Sequence, residues 1–436
     1  MSPTRESQSR RVSVTASTAG TVIEWYDFAL YGAASALVFN VQFFGDVDPV
    51  AGTLFSFAVY AVGFFVRPLG GVIFGYLGDR LGRKPVLLIT VLMMGISTVL
   101  VGFLPNFDAI GYLAPSLLIA LRVVQGLGAG AEYAGALVVT GESGEHRRGF
   151  FTSIPAAAVD ISTGLSAGTF ALFVLLPAEQ FAAWGWRVPF WLGGLGLVVA
   201  LFIRLRMPET EVFQKLKADT TRDTRSPLKR LFKEHRRELL IAAGINVGAN
   251  LSYVFQTFAL SYSINTLGYP PFVSLIGVVL SAIAGSVATL YWGHLTDRIG
   301  RRPVLIGGAI GVIVLVFPFF ALIQVGSVPL LFACVIVAHI ADRAIFASQA
   351  PLYAELFPAS VRFSGIATAR EVTGALIAGP LPFVATGIVA ATGGPWLFAA
   401  IVVVLAAVSG YSAFLARETA PEVVRRRDAP REHATS

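Results

Sequence analysis

Twelve long apolar stretches dominate this chain of 436 residues, and each is long enough to cross a lipid bilayer as a helix. Only 14% of the residues are charged, against roughly a quarter in a soluble domain, so the chain cannot cover a water-facing surface. The predicted spans lie near residues 16–42, 52–77, 85–105, 113–141, 150–176, 188–206, 238–265, 272–293, 303–324, 328–354, 363–390 and 395–416. We therefore predict an all-α membrane protein with twelve transmembrane helices.

The basic residues predict how these helices are oriented. Of the 33 Lys and Arg residues, 28 fall in tails and loops on one side of the predicted membrane, and only Arg187 lies in a loop on the other side. Because cytoplasmic loops are enriched in Lys and Arg, we predict a multi-pass protein of the cytoplasmic (inner) cell membrane with both termini inside. The polar first residues lack a cleavage site and are expected to be a retained tail.

A ten-residue pattern occurs twice, at an offset of 218 residues. Gly75-Tyr-Leu-Gly-Asp79-Arg80-Leu-Gly82-Arg83-Lys84 follows the second predicted span, and Gly293-His-Leu-Thr-Asp297-Arg298-Ile-Gly300-Arg301-Arg302 follows the eighth. This duplication predicts two pseudo-symmetric six-helix bundles, at residues 1–206 and 238–416. A basic cytosolic linker at 207–237 and a cytosolic tail at 417–436 complete the predicted organisation.

The paired pattern resembles the signature of the major facilitator superfamily, and the resemblance covers essentially the whole chain. Further segments resemble its metabolite:proton symporter branch, which includes carriers of shikimate, 2-oxoglutarate, citrate, proline and betaine. These segments are Glu24-Trp-Tyr-Asp27-Phe-Ala-Leu-Tyr31-Gly, Phe64-Phe-Val-Arg67-Pro-Leu-Gly-Gly, Arg122-Val-Val-Gln125-Gly126, Ala131-Glu132-Tyr133, Trp184-Gly-Trp-Arg187-Val-Pro-Phe and Pro208-Glu-Thr-Glu-Val-Phe213. The resemblance implies a secondary transporter that works by alternating access.

The resemblance also implies a role for the repeated pattern. Its charged residues are expected to form a gating latch that stabilises the outward-facing state: Asp79, Arg80, Arg83, Asp297, Arg298 and Arg301. An acid at this place can accept hydrogen bonds from a facing helix end, and the arginines can pair with acids across a bundle. Topology charges alone would explain the basic residues but not the fixed spacing of Asp and Gly.

Acidic residues inside the predicted spans are candidates for proton coupling. A charge at mid-bilayer costs about 2.5–3.5 kcal/mol on insertion scales, so we expect these residues to face protein or water. Glu24 and Asp27 share one helix face, and a carboxyl beside another acid in a partly dry cavity holds a proton more readily. The alternative is that they neutralise intramembrane arginines in fixed ion pairs. Glu132 and Asp160 are the other candidates, and Asp160 is alternatively a partner for Arg122.

Arginines, amides and phenols inside the spans are candidates for substrate binding. A guanidinium is a planar fork that suits a carboxylate, although Arg122 can also serve a purely structural interhelical pair. Polar residues at positions 246, 250, 253 and 257 form a stripe along the seventh span, which is expected to face a cavity. The candidates are Arg122, Arg67, Tyr31, Gln125, Asn246, Asn250, Tyr253, Gln256, Arg343 and Arg370.

Two pairs of adjacent, oppositely charged residues lie in predicted spans of the second half, and their role has two possible interpretations. Asp342-Arg343 and Arg370-Glu371 either contact the substrate or bind one another as a buried quartet. His339 lies one turn before Arg343, where it is either a titrating group or a hydrogen-bonded structural residue.

The sequence favours a proton-coupled symporter that imports a small polar metabolite, such as an organic anion. Alternatives are uptake of a zwitterionic compatible solute such as proline or betaine, and proton-driven efflux. The sequence has no phosphate-binding loop of the GxxxxGK[ST] type, and its single cysteine, Cys334, excludes an internal disulfide or a cysteine-cluster metal site. We expect no enzymatic activity, cofactor, metal or nucleic-acid partner. The expected partners are the lipid bilayer, the substrate and protons, and the chain is expected to be a monomer.

Overall fold

The computed structural model describes residues 3–45, 47–81, 83–130, 147–206, 227–358, 361–421 and 423–424. All regular structure in these ranges is helical, which confirms the predicted all-α fold for this part of the chain. Nine helices in it are long and apolar enough to cross a membrane. Two shorter apolar helices, Pro85–Val101 and Leu113–Ala129, accompany them.

We number the long helices α1 to α12 in chain order, six in each half. In the first half they are α1 (Pro3–Leu37), α2 (Pro49–Leu81), α3 (Arg83–Val101), α4 (Leu113–Ala129), α5 (Arg148–Phe173) and α6 (Val188–Arg206). In the second half they are α7 (Arg236–Asn265), α8 (Pro271–Ile299), α9 (Arg301–Ile323), α10 (Val328–Leu356), α11 (Arg362–Thr392) and α12 (Trp396–Leu415). Shorter helical segments are Phe39–Phe44, Phe107–Ile110, Ala178–Ala183, Gly185–Arg187 and Pro227–Glu234.

The observed helices differ from the predicted spans at a few ends. The helices α2 and α8 run beyond the predicted limits because most of the repeated pattern is itself helical. The predicted fourth span reaches residue 141, whereas α4 ends at Ala129 and residues 131–146 lie outside the described part. The helices α7 and α11 each contain a π-helical turn, Val254–Phe258 and Gly374–Ala378. Such turns occur often at functional sites.

The duplication is visible in the helix boundaries. The helix α2 ends at Leu81 and α8 at Ile299, while α3 begins at Arg83 and α9 at Arg301, the same offset as in the sequence. Gly300 joins α8 to α9 with φ of 111°, a conformation that residues with a Cβ rarely adopt. The Glu418 carboxylate accepts the N–H groups of Arg301 and Arg302 at 2.9 and 3.1 Å, so it caps the start of α9.

The buried apolar side chains form two clusters, one for each half. One consists mainly of residues between 28 and 190, and the other mainly of residues between 231 and 416. A few side chains cross over: Trp25 and Val159 join the second cluster, and Leu260 and Val278 join the first. The halves are therefore two packed bundles that meet along a seam.

Candidate functional site

A cavity that is partly open to its surroundings lies between the two halves. Helices α1, α2 and α5 line it from the first half, and α7, α8, α10 and α11 line it from the second. The polar side chains of its wall are Tyr60, Thr163, Ser166, Asn246, Asn250, Ser252, Tyr253, Gln256, Thr257, Arg343 and Arg370. Six of the ten predicted substrate residues are among them, all from the second half.

The predicted polar stripe of α7 lies on the cavity wall. Asn246, Asn250, Tyr253 and Thr257 all line it, and the π-helical turn adds Gln256 to the same wall. The Asn246 amide donates to the Thr373 hydroxyl and its oxygen accepts from the Gln349 amide, so both its ends are held. Asn250 donates to the Thr373 carbonyl at 3.4 Å. These bonds fix the wall of α7 against α10 and α11.

The opposite wall is aromatic, and predicted polar residues lie behind it. Trp25, Phe28 and Tyr60 line the cavity from α1 and α2. The Arg122 guanidinium is fully buried, with its carbon 4.2 Å from the Tyr31 ring centroid and 4.7 Å from that of Phe28. Arg122, Tyr31 and Gln125 are absent from the cavity lining, so a solute there meets the rings before it meets the guanidinium.

A second polar group of the first half surrounds Asp27, which is 4% exposed. Arg122 donates to the Gln125 oxygen, and the Gln125 amide donates to the Thr98 hydroxyl at 2.9 Å. Asp27 interacts with Thr98 and with the charges of Arg122 and Glu24. A carboxyl, an amide and a guanidinium are thus connected inside one bundle, next to the aromatic wall.

Arg67 connects the halves through two carboxylates. Its Nη2 lies 3.1 Å from Glu24 Oε1, and its Nε lies 3.2 Å from Glu371 Oε2. Because Glu24 belongs to α1 and Glu371 to α11, the guanidinium bridges the seam. The Arg67 guanidinium carbon lies 4.4 Å from the centroid of the Phe28 ring.

Charged residues of α10 and α11 form ion pairs with helices of the first half. Arg343 pairs with its neighbour Asp342 at 2.6 Å and with Asp160 of α5 at 3.4 Å. Glu371 pairs instead with Arg67. Asp160 also lies 2.9 Å from His339, so its partners among the described residues come from the second half, and Arg122 is not one of them.

The repeated pattern of the second half makes contacts of the kind expected for a latch. Asp297 accepts the N–H groups of Gly149 and Phe150 at the start of α5, at 2.9 and 3.0 Å. Arg301 pairs with Asp297 at 2.6 Å and with Glu355 at 3.3 Å. Arg298 is exposed and has no ion pair among the described residues. Asp79, Arg80 and Arg83 lie outside the side chains that the structure describes, and Glu132 lies outside the described residues.

The halves also touch at the other end of the helices. The Asn265 amide near the end of α7 donates to the Ala36 carbonyl near the end of α1 at 3.0 Å. Contacts between Asp297 and α5 close the seam at the opposite end. The cavity therefore lies between two regions where the halves are in contact.

Sequence reasoning underrated several residues that the fold brings to the site. His339, Thr98, Thr373 and Gln349 bond to candidates, and Trp25 and Tyr60 form the aromatic wall. The sequence marks His339 by its place one turn before Arg343, but it does not indicate the partner Asp160. The others depend on tertiary contacts that a single sequence does not contain.

Comparison with known proteins gives consistent matches along the chain. A family model described as sugar (and other) transporter matches residues 12–231 and 213–424. The shikimate transporter of Escherichia coli K12 is 38% identical over 402 residues, 91% of either chain. The glycine betaine/proline/ectoine/pipecolic acid transporter of Dickeya dadantii is 33% identical over 422 residues, 94% of this chain and 84% of that one.

Solved structures match the fold. The D-xylose-proton symporter superposes with a TM-score of 0.68 at 18% identity, over 94% of this chain and 98% of that one. A partially occluded inward-open form of the xylose transporter of Escherichia coli gives 0.68 at 15% identity, over 98% and 99%. At these identities the likeness concerns the helix arrangement alone.

Proposed function

The chain belongs to the sugar (and other) transporter family, in the metabolite:proton symporter branch of the major facilitator superfamily, and on that premise we propose that it imports a small organic anion with protons by alternating access. The observation that carries the proposal is the cavity between the halves, with two arginines and three amides on one wall. In this proposal twelve helices span the inner membrane, both termini are cytosolic, and no cofactor is needed because the proton gradient supplies the energy.

A carboxylate is the chemical group that this wall suits. Arg343 and Arg370 both reach the cavity, and a guanidinium binds a carboxylate through two parallel hydrogen bonds. Arg370 lies on α11 where the Asn246 and Asn250 amides of the same wall contact that helix, so we propose it as the primary anchor. The solutes named for the relatives, shikimate, proline, betaine, ectoine and pipecolic acid, all carry a carboxylate, which supports the same group here.

Asp27 is the proposed carrier of the coupled proton in the first half. It is buried beside the Thr98, Gln125 and Arg122 group of the first half. A proton on Asp27 would neutralise its carboxylate beside Arg122 and so change the net charge of the polar group inside the first bundle. Glu24 is engaged by Arg67, which favours a structural or gating contribution for this second acid.

A zwitterionic solute is the second candidate, and the aromatic wall favours it. Trp25, Phe28 and Tyr60 line the same cavity as Arg370, and Tyr253 adds a ring 6.4 Å from that of Tyr60. Aromatic faces attract quaternary ammonium groups. A betaine could place its carboxylate at Arg370 and its ammonium against the rings. Proton-driven efflux has no specific support in the cavity.

The test is uptake by the purified chain in proteoliposomes. Labelled shikimate, 2-oxoglutarate, citrate, proline and betaine are supplied with and without an imposed pH gradient, acid outside. We expect accumulation of one carboxylate solute only with the gradient. Asp27→Asn is expected to abolish accumulation and to spare solute exchange, and the exposed Asp108→Asn serves as its control. Accumulation that survives in Asp27→Asn would remove Asp27 from the coupling role, and uptake of no panel member would contradict the substrate class.

A further inference from the structure

Three helices of the second half meet in a buried hydrogen-bond group around Asn246 of α7. The Asn246 oxygen accepts from the Gln349 amide of α10, and its NH₂ group donates to the Thr373 hydroxyl of α11. The same NH₂ group lies 3.4 Å from the Arg370 carbonyl. Asn246 and Gln349 are at most 3% exposed, and Thr373 is 7% exposed. This group therefore ties α11 to α7 and α10 beside Arg370, the proposed anchor.

The hydrogen bonds within α11 determine how the group is oriented. The Thr373 hydroxyl has one hydrogen, which it donates to the preceding turn of its own helix, where the Ala369 carbonyl lies at 2.6 Å and the Arg370 carbonyl at 3.2 Å. The hydroxyl therefore meets Asn246 as an acceptor. Because the Arg370 carbonyl is also an acceptor, the nitrogen of the Asn246 amide must face α11, and its oxygen must face Gln349.

The backbone of Thr373 holds a second amide of the same wall. Asn250 lies one turn after Asn246 on α7, and its NH₂ group donates to the Thr373 carbonyl at 3.4 Å. Thr373 is the last residue before the π-helical turn Gly374–Ala378, where the regular α-helical hydrogen bonding changes. Asn246 and Asn250 line the cavity, whereas Thr373 is not part of its lining. One residue behind the wall thus holds two amides that a solute meets.

Thr373 also lies on the face of α11 that carries Arg370, because residues three apart share a helix face. A guanidinium that binds a carboxylate through two parallel hydrogen bonds leaves further lone pairs on the carboxylate oxygens. The Asn250 NH₂ group has a second hydrogen, which can supply one of these bonds. The distance between the amides of α7 and the guanidinium of α11 therefore decides how well a carboxylate is bound.

We propose that Thr373 is a positioning residue for solute binding: its hydroxyl and carbonyl hold the Asn246 and Asn250 amides at the distance from Arg370 that a carboxylate requires. Thr373→Val keeps the shape of the side chain and replaces the hydroxyl by a methyl group. The Asn246 nitrogen then loses its acceptor, and the amide is no longer held against α11. This inference rests on the carboxylate site proposed above, and it applies to any small carboxylate that enters the cavity.

The experiment measures the preference of the cavity for a carboxylate reagent, so it does not need the transported solute. In the full chain in lipid nanodiscs, on a Cys334→Ser background, Ser252 of the cavity wall is replaced by cysteine. Its reaction rate with 2-carboxyethyl methanethiosulfonate is divided by its rate with 2-hydroxyethyl methanethiosulfonate, and this ratio is normalised to the same ratio for glutathione. Because both reagents meet the same sample, a loss of folded protein cancels in the ratio.

Thr373→Val is expected to lower the ratio about three- to tenfold, the usual effect of one hydrogen-bonding group on affinity. Thr373→Ser keeps the hydroxyl and is expected to restore the ratio. Thr386→Val is the matched control on the same helix, because the Thr386 hydroxyl donates to the Pro382 carbonyl of α11 at 2.8 Å and so stays within its own helix. Arg370→Gln gives the ratio without the anchor.

The proposal is overturned by an unchanged ratio in Thr373→Val, or by an equal fall in Thr373→Val and Thr373→Ser. An unchanged ratio in Arg370→Gln overturns it too, because the amides would then not be positioned for that guanidinium. If the ratio falls in Thr373→Val and returns in Thr373→Ser while no solute of the uptake panel is transported, the proposed transport fails and the positioning role of Thr373 stands.

Discussion

At the scale of single residues, Gly63 sets the position of Arg122. A Cβ at residue 63 would overlap the Arg122 guanidinium, and one at Gly126 would overlap the Gly63 carbonyl, so α2 and α4 cross at backbone contact. We expect Gly63→Ala to lower the apparent melting temperature, since overpacking a tight contact costs about 1–3 kcal/mol. The control is Gly307→Ala, where a Cβ on α9 meets no atom within 4 Å. Equal melting temperatures for the two variants would contradict the tight crossing.

The sequence predicts the types of residue in the site better than their places. Charges inside apolar spans mark Glu24, Arg67, Asp160 and Arg343 as enclosed, because lipid would not tolerate them. Which charge pairs with which is a property of the fold. Asp160 and Arg343 are 183 residues apart in the chain, and no local spacing brings them to 3.4 Å. In the same way, nothing in one sequence indicates that rings stand between Arg122 and the cavity.

At the scale of helices, the start of α5 depends on the end of α8. The Asp297 carboxylate accepts two N–H groups at the positive end of α5 and also pairs with Arg301. Asp297→Asn removes the charge and one acceptor, and breaking a buried charged network by one partner costs about 3–5 kcal/mol. We expect the start of α5 to separate from the end of α8 more often in this variant. Labelling of a cysteine at Thr163, on the cavity wall of the Cys334→Ser chain, is expected to accelerate.

The matching variant of the adjacent arginine sharpens this prediction. Arg298→Gln is expected to leave the labelling rate nearly unchanged, because Arg298 is exposed and surface charges contribute about 0–1 kcal/mol. If Arg298→Gln accelerates labelling as much as Asp297→Asn, the contact between Asp297 and α5 is not what holds this end of the seam closed.

The helices themselves follow from the sequence almost completely. Apolar length predicts them, and the repeat predicts that α2 and α8 end at matching positions. Two features escape this reasoning. The repeated pattern is mostly helical and not a loop. The helices continue past the end of the apolar stretch, because charged residues also form helix where the chain leaves the membrane. The π-helical turns of α7 and α11 leave no signal in the hydrophobic pattern, yet Val254–Phe258 brings Gln256 to the cavity wall.

At the scale of the whole molecule, the bound solute is expected to contact both bundles at once and so to hold them together. Because both halves line the cavity, a ligand that touches both walls stabilises the folded, closed arrangement. A ligand at 100 times its dissociation constant adds about 2.7 kcal/mol to the apparent stability. We therefore expect the carboxylate solute that the uptake assay identifies to raise the apparent melting temperature of the detergent-solubilised chain. D-xylose, which lacks a carboxylate, is expected to have no effect.

Substitution of the proposed anchor, Arg370, distinguishes binding in the cavity from a general effect of salt. In Arg370→Gln, the increase in melting temperature is expected to shrink or vanish, since the carboxylate loses its guanidinium partner. In Lys229→Gln, which removes an exposed charge of the helix Pro227–Glu234, the full increase is expected to remain. An increase of the same size in both variants would mean that the anion acts at the surface. Arg370 would then not anchor the solute, and the aromatic residues of the cavity would be left as the candidates for solute recognition.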